Sequence, residues 1–178
     1  MKFVLAESNI KDLAELVDDD DAYFIFAMGA TGSGKNFVVK KFLPKLPLVD
    51  IDKFMAELAV NDPDGKDERK FISKSIHMAK KELDKYFSKK RSVIQTGTGG
   101  NLKGLENKLK LAKSKGLKTA IILVDTDIQK AKERNQSRAD SGEQRLVPQW
   151  KVDISYEKSA ENYKILKDTV DFAVVVKN

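Results

Sequence analysis

A glycine-rich stretch, residues 29–36, carries the residue types best suited to chemistry in this chain of 178 residues. Its sequence is Gly29-Ala30-Thr31-Gly32-Ser33-Gly34-Lys35-Asn36. The spacing G-x-x-x-x-G-K is that of a phosphate-binding loop, in which backbone N–H groups converge on an anion and the lysine adds a full positive charge. An apolar run, residues 22–28, precedes the loop, and a helix is predicted to begin near Gly34, which is the context that the motif requires. We therefore expect residues 29–36 to bind the β- and γ-phosphates of a nucleoside triphosphate.

The last residue of this loop departs from the usual pattern. Asn36 occupies the position at which Ser or Thr normally offers a hydroxyl to Mg²⁺. An amide oxygen is also a hard, neutral ligand, so Asn36 is a candidate to bind the ion directly or to hold one of its waters. The substitution is equally compatible with a weakened site, and a glycine-rich turn without any ligand is the plainest alternative for the whole loop.

Two carboxylates follow a second short apolar segment. Residues 46–49 are predicted to form a strand, and Asp50 and Asp52 come at its C-terminal end. Because ligands of open α/β sheets bind outside the carboxyl ends of the strands, these acids face the expected site. Asp52 is suited to accept a proton from an attacking hydroxyl, whereas Asp50 is interpreted as a cap or a supporting group. Since the next helix is predicted to begin at Lys53, a capping role is the alternative for Asp52.

A pair of arginines marks a predicted lid. Arg134 and Arg138 lie four residues apart on one helical face, just before a loop at about residues 139–147 that is predicted to be mobile. Guanidinium groups that arrive from a lid can neutralise charge on a transferred phosphoryl group, an effect worth roughly 10³-fold in rate. The alternative is an ordinary solvated charged face.

Alternating strand and helix patterns must position these groups. Strands are predicted at residues 22–28, 46–49, 92–95, 118–124 and 172–176, with helical patterns between them. This alternation favours an α/β fold with a parallel five-stranded sheet and helices on both faces.

The helical patterns also predict caps and buried faces. Asn101 is predicted to cap one helix, and Asp125 or Thr126 the helix that carries the arginines. Two helices are predicted to bury the following residues: Ile72, Ile76, Ala79, Leu83 and Phe87 in the first, and Val152, Tyr156, Ala160 and Tyr163 in the second.

Charge is distributed unevenly along what we expect to be a single domain, residues 1–178. Residues 1–21 carry seven acids and two bases, and they are predicted to form an acidic appendage. The appendage is predicted to contain a short strand at residues 2–5 and a helix at residues 9–17. This helix is expected to pack on the rest of the domain through Ile10, Leu13 and Leu16. The remaining residues have a net charge of +11, which would attract a polyanion or simply form a solvated lysine-rich surface.

Composition excludes several classes of site. The chain has no cysteine and one histidine, so disulfides, thiolate metal sites and histidine-based triads are not expected, and a cytoplasmic location (the host cytoplasm if the chain is phage-encoded) is predicted. No apolar run reaches membrane-spanning length, so no membrane partner is expected. The oligomeric state is left open.

These motifs together resemble those of the P-loop kinases typified by bacteriophage polynucleotide kinase and by the zeta-toxin group. The likeness runs from about Ala22 to Tyr156 and also includes the strand-turn at residues 93–98 and the segment 133–138. It implies a P-loop NTPase fold with an arginine-bearing lid, and ATP and Mg²⁺ as cofactors. It further implies that Asp52 is the general base, with Lys35 at the phosphates, and that Arg134 and Arg138 clamp the ATP phosphates.

Two departures bear on the acceptor. These families usually have an arginine three residues beyond the base, where this chain has Met55, and often an acid after the third strand, where Gln95 and Thr96 are neutral. We expect an ATP-dependent kinase that phosphorylates a hydroxyl of a nucleic acid, with DNA favoured, at a 5′-OH or a hydroxymethylated base such as 5-hydroxymethyluracil. A kinase of nucleosides, nucleotides or nucleotide sugars is one alternative, and a catalytically weak nucleotide-binding module is another.

Overall fold

The computed structural model of the protein describes residues 7–18, 21–60, 68–142 and 146–178. The described residues form five strands and seven helices. The strands are β1 (Tyr23–Met28), β2 (Leu48–Asp50), β3 (Val93–Gly97), β4 (Lys118–Asp125) and β5 (Phe172–Lys177). The helices are α1 (Glu7–Asp18), α2 (Lys35–Phe42), α3 (Ile51–Val60), α4 (Glu68–Ser88), α5 (Leu102–Ser114), α6 (Ile128–Asp140) and α7 (Gln149–Leu166).

All five strands are parallel and lie in the order β2-β3-β1-β4-β5. The central strand β1 is buried along its whole length, and its Ile25 lies between Ile94 of β3 and Ala120 of β4. The chain moves from β1 to β2 on one side and later returns to β4 on the other, so a crevice opens at the carboxyl end of β1. The predicted α/β fold with a parallel five-stranded sheet is confirmed.

Helices cover both faces of this sheet because alternate residues of β1 point in opposite directions. Phe24, Phe26 and Met28 pack in one core with residues of α4, α5 and α7. Tyr23, Ile25 and Ala27 pack in a second core with residues of α1 and α2.

The N-terminal helix contributes to the second core. Ile10 and Leu13 of α1 are fully buried, which confirms the predicted packing of this segment. The side chain of Leu16, the predicted strand at residues 2–5 and Asp19 and Asp20 lie outside the described residues.

Two predicted buried faces are partly wrong. In α4 the side chains of Ile72 and Ile76 are exposed, and Phe71 and Ser75 are buried instead, in line with Ala79, Leu83 and Phe87. Ser75 tolerates burial because its hydroxyl donates to the carbonyl oxygen of Phe71 at 2.7 Å. In α7 the buried stripe is largely polar, and Tyr156 and Ala160 are only half-buried: the buried residues are Val152, Ser155, Ser159, Asn162, Tyr163 and Leu166.

Of the two predicted helix caps, the cap of α5 is confirmed and the cap of α6 is wrong. Asn101 caps α5, and its Oδ1 accepts from the backbone N of Gly104 at 2.9 Å, as predicted. The cap of α6 is Asp127, not Asp125 or Thr126, because β4 continues to Asp125 before the chain turns.

Candidate active site

The glycine-rich loop joins the carboxyl end of β1 to the N-terminus of α2. Gly32 and Gly34 have φ of +84° and +86°, a left-handed backbone conformation that glycine adopts without strain. A Cβ at Gly32 would also lie 2.2 Å from the carbonyl oxygen of Ala131 in α6. Glycine therefore lets α6 approach the loop, and the loop directs the N-terminus of α2 into the crevice, where its N–H groups and dipole favour an anion.

Lys35 folds back over the loop. Its Nζ donates to the carbonyl oxygens of Gly29 at 3.1 Å and of Ala30 at 2.8 Å. The pKa of Lys35 is lowered to about 8, because burial and, to a smaller extent, the nearby Arg138 outweigh the opposite effect of the Asp52 and Asp50 carboxylates. The loop therefore holds a buried ammonium group, and a phosphate group bound beside it would stabilise the charged form of Lys35.

The middle of the loop is fastened from two sides. The backbone N of Thr31 donates to Oγ of Ser155 in α7 at 3.1 Å, and Oγ of Ser155 donates to the carbonyl oxygen of Val152 at 2.8 Å. On the other side, Nδ2 of Asn178 donates to the carbonyl oxygen of Ser33 at 2.7 Å. The first contact explains why α7 buries Ser155, whereas the buried Ser159 and Asn162 donate to the carbonyl oxygens of Tyr156 and Gly99. The signal of this polar face in the sequence is the repeat of Ser155, Ser159 and Asn162 at helical spacing.

Asp50 joins the loop to α3. Its Oδ2 accepts from Nδ2 of Asn36 at 2.7 Å, and its Oδ1 accepts from the backbone N of Asp52 at 3.0 Å. Because α3 begins at Ile51, the capping role belongs to Asp50, and the alternative of Asp52 as a cap before Lys53 is wrong.

Asp52 lies in the first turn of α3 and opens into the same crevice as Lys35. Burial raises the pKa of its carboxyl group, and the negative charge of Asp50 raises it further, while Lys35 and Arg138 oppose this shift. A carboxylate with a raised pKa is a better proton acceptor than an ordinary one, provided that it is ionised at the working pH.

The two predicted arginines lie on the same side of the loop. Arg138 lines the crevice with Lys35 and Asp52. Nη1 of Arg134 is buried without a hydrogen-bond partner among the described groups, and a Cβ at Gly34 would be 3.5 Å from it. A buried donor without an acceptor is unfavourable, so this nitrogen is suited to an anion bound at the loop.

These residues surround a cavity of about 730 Å³, a size common for small-molecule sites. Its polar lining comes from the loop, Lys35 and Arg138. Its apolar wall comes from α3 and α4, with the residues Ile51, Met55, Ala56, Ala59 and Phe71. Asp52 lies at the edge of this apolar wall, and the turn at residues 96–98 also borders the cavity.

Part of the predicted lid borders the same cavity. Gly142 and Val147 line it, whereas residues 143–145 lie outside the described part of the chain. The start of the predicted loop is helical, because α6 continues to Asp140.

A second cavity of about 490 Å³ opens at the carboxyl ends of β4 and β5. Asn178 lines it and also binds the carbonyl oxygen of Ser33, so the second cavity adjoins the phosphate loop. Its other lining residues are Asp125, Thr126, Asp127, Lys130, Tyr156 and Lys177.

The family model described as an AAA domain matches residues 24–153 of this sequence. The chain belongs to this AAA-domain family. The matched range contains the phosphate loop, Asp52 and both arginines. The sequence has no significant match among curated proteins.

Three solved structures share the fold of this AAA-domain chain. The PezAT toxin–antitoxin system of Streptococcus pneumoniae contains a chain with a TM-score of 0.68 and 16% identity, with 97% of this chain and 78% of that one covered. The AvrRxo1-ORF1:-ORF2 complex with ATP gives a TM-score of 0.71 at 18% identity, with 90% and 54% covered. The Pnkp1/Rnl/Hen1 RNA repair complex gives 0.67 at 14% identity, with 83% and 48% covered, so this chain spans about half of the last two. The fold is therefore the parallel α/β fold of the P-loop NTPases.

Within the ranges that the structure describes, every helix is too short or too polar to cross a lipid bilayer.

Proposed function

We propose that the protein is an ATP-dependent phosphotransferase that moves the γ-phosphoryl group to a hydroxyl group of a nucleic acid, with DNA as the favoured acceptor. One observation carries this proposal: the phosphate loop, Lys35 and Asp52 line a single cavity. A donor phosphate and an acceptor hydroxyl could therefore meet between them.

The donor side suits a nucleoside triphosphate. The loop N–H groups and Lys35 would hold the β- and γ-phosphates, and the unpaired Nη1 of Arg134 would donate to them from the side of α6. The second cavity, which adjoins the loop through Asn178, would receive the nucleoside. The ATP bound in the AvrRxo1-ORF1:-ORF2 complex supports ATP as the donor here.

The chemical step is a direct displacement. The acceptor oxygen forms a bond to the γ-phosphorus while the bond from that phosphorus to the bridging oxygen breaks, and the electron pair leaves on ADP. The proton of the hydroxyl passes to the carboxylate of Asp52. Arg138, at the lid side of the cavity, would stabilise the charge on the phosphoryl oxygens.

The residues at the loop fit Mg²⁺. Asn36 donates to Asp50 through Nδ2, which leaves its Oδ1 as a neutral oxygen ligand, and the Asp50 carboxylate is next to it. The described residues contain no cluster of three acidic or histidine side chains, so the ion would depend on Asn36, Asp50, the phosphates and water, which is a common set for Mg²⁺. The ion would supply charge neutralisation at the β- and γ-phosphates.

The apolar wall of the cavity favours a second candidate, a kinase of small molecules. Met55, Ala56 and Phe71 would contact a compact and uncharged acceptor group next to Asp52. A nucleoside or the sugar of a nucleotide sugar would suit such a wall, as would a hydroxymethylated base of DNA.

Transfer of labelled γ-phosphate to parallel acceptors tests the proposal. The acceptors are single-stranded DNA, duplex DNA with 5-hydroxymethyluracil, RNA, nucleosides and nucleotide sugars, and the Asp52→Asn variant is the control. Label on either DNA acceptor that is lost in the variant supports the main proposal, and label only on nucleosides or nucleotide sugars supports the second candidate. ATP binding without transfer to any acceptor would contradict both and leave a nucleotide-binding module.

A further inference from the structure

Positive charge is concentrated on two helices of the same sheet face. Residues 74–91, in α4 and the turn after it, carry seven bases and two acids. Residues 102–117, in α5 and the turn after it, carry five bases and one acid. The two segments together have a net charge of +9 against +6 for the whole chain, so the remainder of the chain is net negative.

These bases face solvent. Lys108 is the one member of the set that is half-buried, and its Nζ donates to Oε1 of Gln95 at 3.0 Å. The other eleven are exposed: Lys74, Lys80, Lys81, Lys85, Lys89, Lys90, Arg91, Lys103, Lys110, Lys113 and Lys115. Ion pairs between described residues occupy Lys85 and Lys113 of this set. We call the exposed surface of residues 74–91 and 102–117 the α4–α5 face.

The two halves of the α4–α5 face are continuous. A Cβ at Gly116, just after α5, would lie 3.7 Å from Nζ of Lys90, just after α4. The cores beneath both helices are also shared, since Leu83 of α4 and Leu109 of α5 belong to one cluster.

The opposite side of the sheet has a different charge. It is covered by α1 and α2, which together carry four acids and four lysines and therefore have no net charge. The molecule is therefore polarised across its sheet, which a uniformly solvated lysine surface would not produce.

The α4–α5 face begins at the rim of the candidate active site. Phe71, near the start of α4, lines the main cavity, and the rest of the helix, to Ser88, extends about 26 Å away from it. The exposed large apolar residues on this face are Ile76 and Leu111, whereas the exposed aromatic residues of the described chain, Phe37 and Trp150, lie elsewhere. A basic face without exposed aromatic rings suits phosphate backbone rather than unstacked bases.

We propose that the α4–α5 face binds the backbone of double-stranded DNA and holds the duplex beside the cavity. The role of this contact in catalysis rests on the proposed function, but the binding itself does not require phosphoryl transfer. Lysines along α4 would neutralise successive phosphates, and a hydroxyl-bearing residue of the duplex would enter the cavity past Phe71.

Charge reversal on the two sides of the sheet tests this proposal. The Lys74→Glu/Lys81→Glu variant changes the α4–α5 face, and the Lys11→Glu/Lys40→Glu variant makes the same change in net charge on α1 and α2, at positions that are also exposed. Binding of a short fluorescein-labelled duplex is measured by anisotropy at several salt concentrations without ATP. We expect the first variant to weaken binding by about tenfold or more and to lower the salt slope by about two, with a change of about twofold or less in the control.

The controls separate the possible outcomes. Circular dichroism checks folding, and Lys74→Gln/Lys81→Gln gives a milder version of the same change. Equal effects of the two charge reversals, no effect of either, or stronger competition by duplex RNA than by duplex DNA would overturn the proposal. Duplex binding at this face without any phosphoryl transfer would refute the proposed function and support the binding face. Transfer to a free nucleoside without duplex binding would refute the binding face and support the small-molecule kinase.

Discussion

Nδ2 of Asn36 donates to Oδ2 of Asp50 at 2.7 Å, while the other oxygen of the same carboxylate accepts from the backbone N of Asp52 at 3.0 Å. Asp50 therefore connects the last residue of the phosphate loop with the first turn of the helix that carries the candidate base. Because the amide nitrogen of Asn36 is used in this contact, its oxygen is left for a cation or a water molecule. Because these hydrogen bonds link the three residues, a substitution at any one of them should alter the positions of the other two side chains.

The metal requirement should depend on residue 36. Asn36→Ala removes both the amide oxygen and the hydrogen bond to Asp50, so we expect a several-fold rise in the Mg²⁺ concentration that gives half-maximal transfer. Asn36→Thr supplies the hydroxyl usual in such loops and should lower that concentration. Initial rates measured against Mg²⁺ at saturating ATP check both. Coincident Mg²⁺ curves for wild type and Asn36→Ala would show that Asn36 has no part in binding the ion.

Asp52 and Asp50 should give different kinetic effects. Asp52→Asn removes the proton acceptor, and we expect turnover to fall by roughly 10²–10⁴-fold, with ATP affinity nearly unchanged. Asp50→Asn retains a capping side chain but removes the negative charge that raises the pKa of Asp52. The acidic limb of its pH–rate profile should therefore move to lower pH. Normal turnover in Asp52→Asn would exclude Asp52 as the base.

Much of this fold could be predicted because its signals are local. The apolar run at residues 23–28, the glycine spacing after it and the alternation of strands and helices each lie within a short window of sequence. The contacts that the sequence could not indicate join distant residues, such as Thr31 with Ser155 and Ser33 with Asn178. Serines in a surface helix pattern are ordinarily solvated, so nothing local marks Ser155 as a support of the loop.

The buried face of α4 differs from the prediction for a similar reason, since contacts between residues distant in the sequence determine it. Ile72 and Ile76 fit the helical spacing as well as Phe71 and Ser75 do, and hydrophobicity favours the two isoleucines. The choice is made by tertiary packing, because Phe71 is buried and lines the cavity together with residues of α3. The candidate site was easier to predict, since its loop, its acid and its arginines come after strands whose carboxyl ends meet at one edge.

The support of the loop by α7 can be measured separately from the chemistry. Ser155→Ala leaves the backbone N–H of Thr31 without its acceptor, which should cost about 1–3 kcal/mol and raise the KM for ATP several-fold. Ser159→Ala is the matched control, because Ser159 is buried in the same helix but donates to the carbonyl oxygen of Tyr156. Thermal unfolding and ATP titrations compare the two. Equal values of KM in both variants would show that the contact with Thr31 does not shape the loop.

The affinity for ATP should also depend on the protonation of Lys35. Burial lowers the pKa of this lysine to about 8, so its ammonium is charged below that pH and is progressively lost above it. Bound phosphates favour the charged form and raise the pKa, so ATP binding at about pH 8.5 should take up protons and weaken as the pH rises further. Calorimetry in two buffers of different ionisation enthalpy measures this uptake. Lys35→Arg keeps its charge throughout the range and should show none. Binding enthalpies that do not change with the buffer in the wild-type protein would mean that Lys35 is already fully charged before ATP binds.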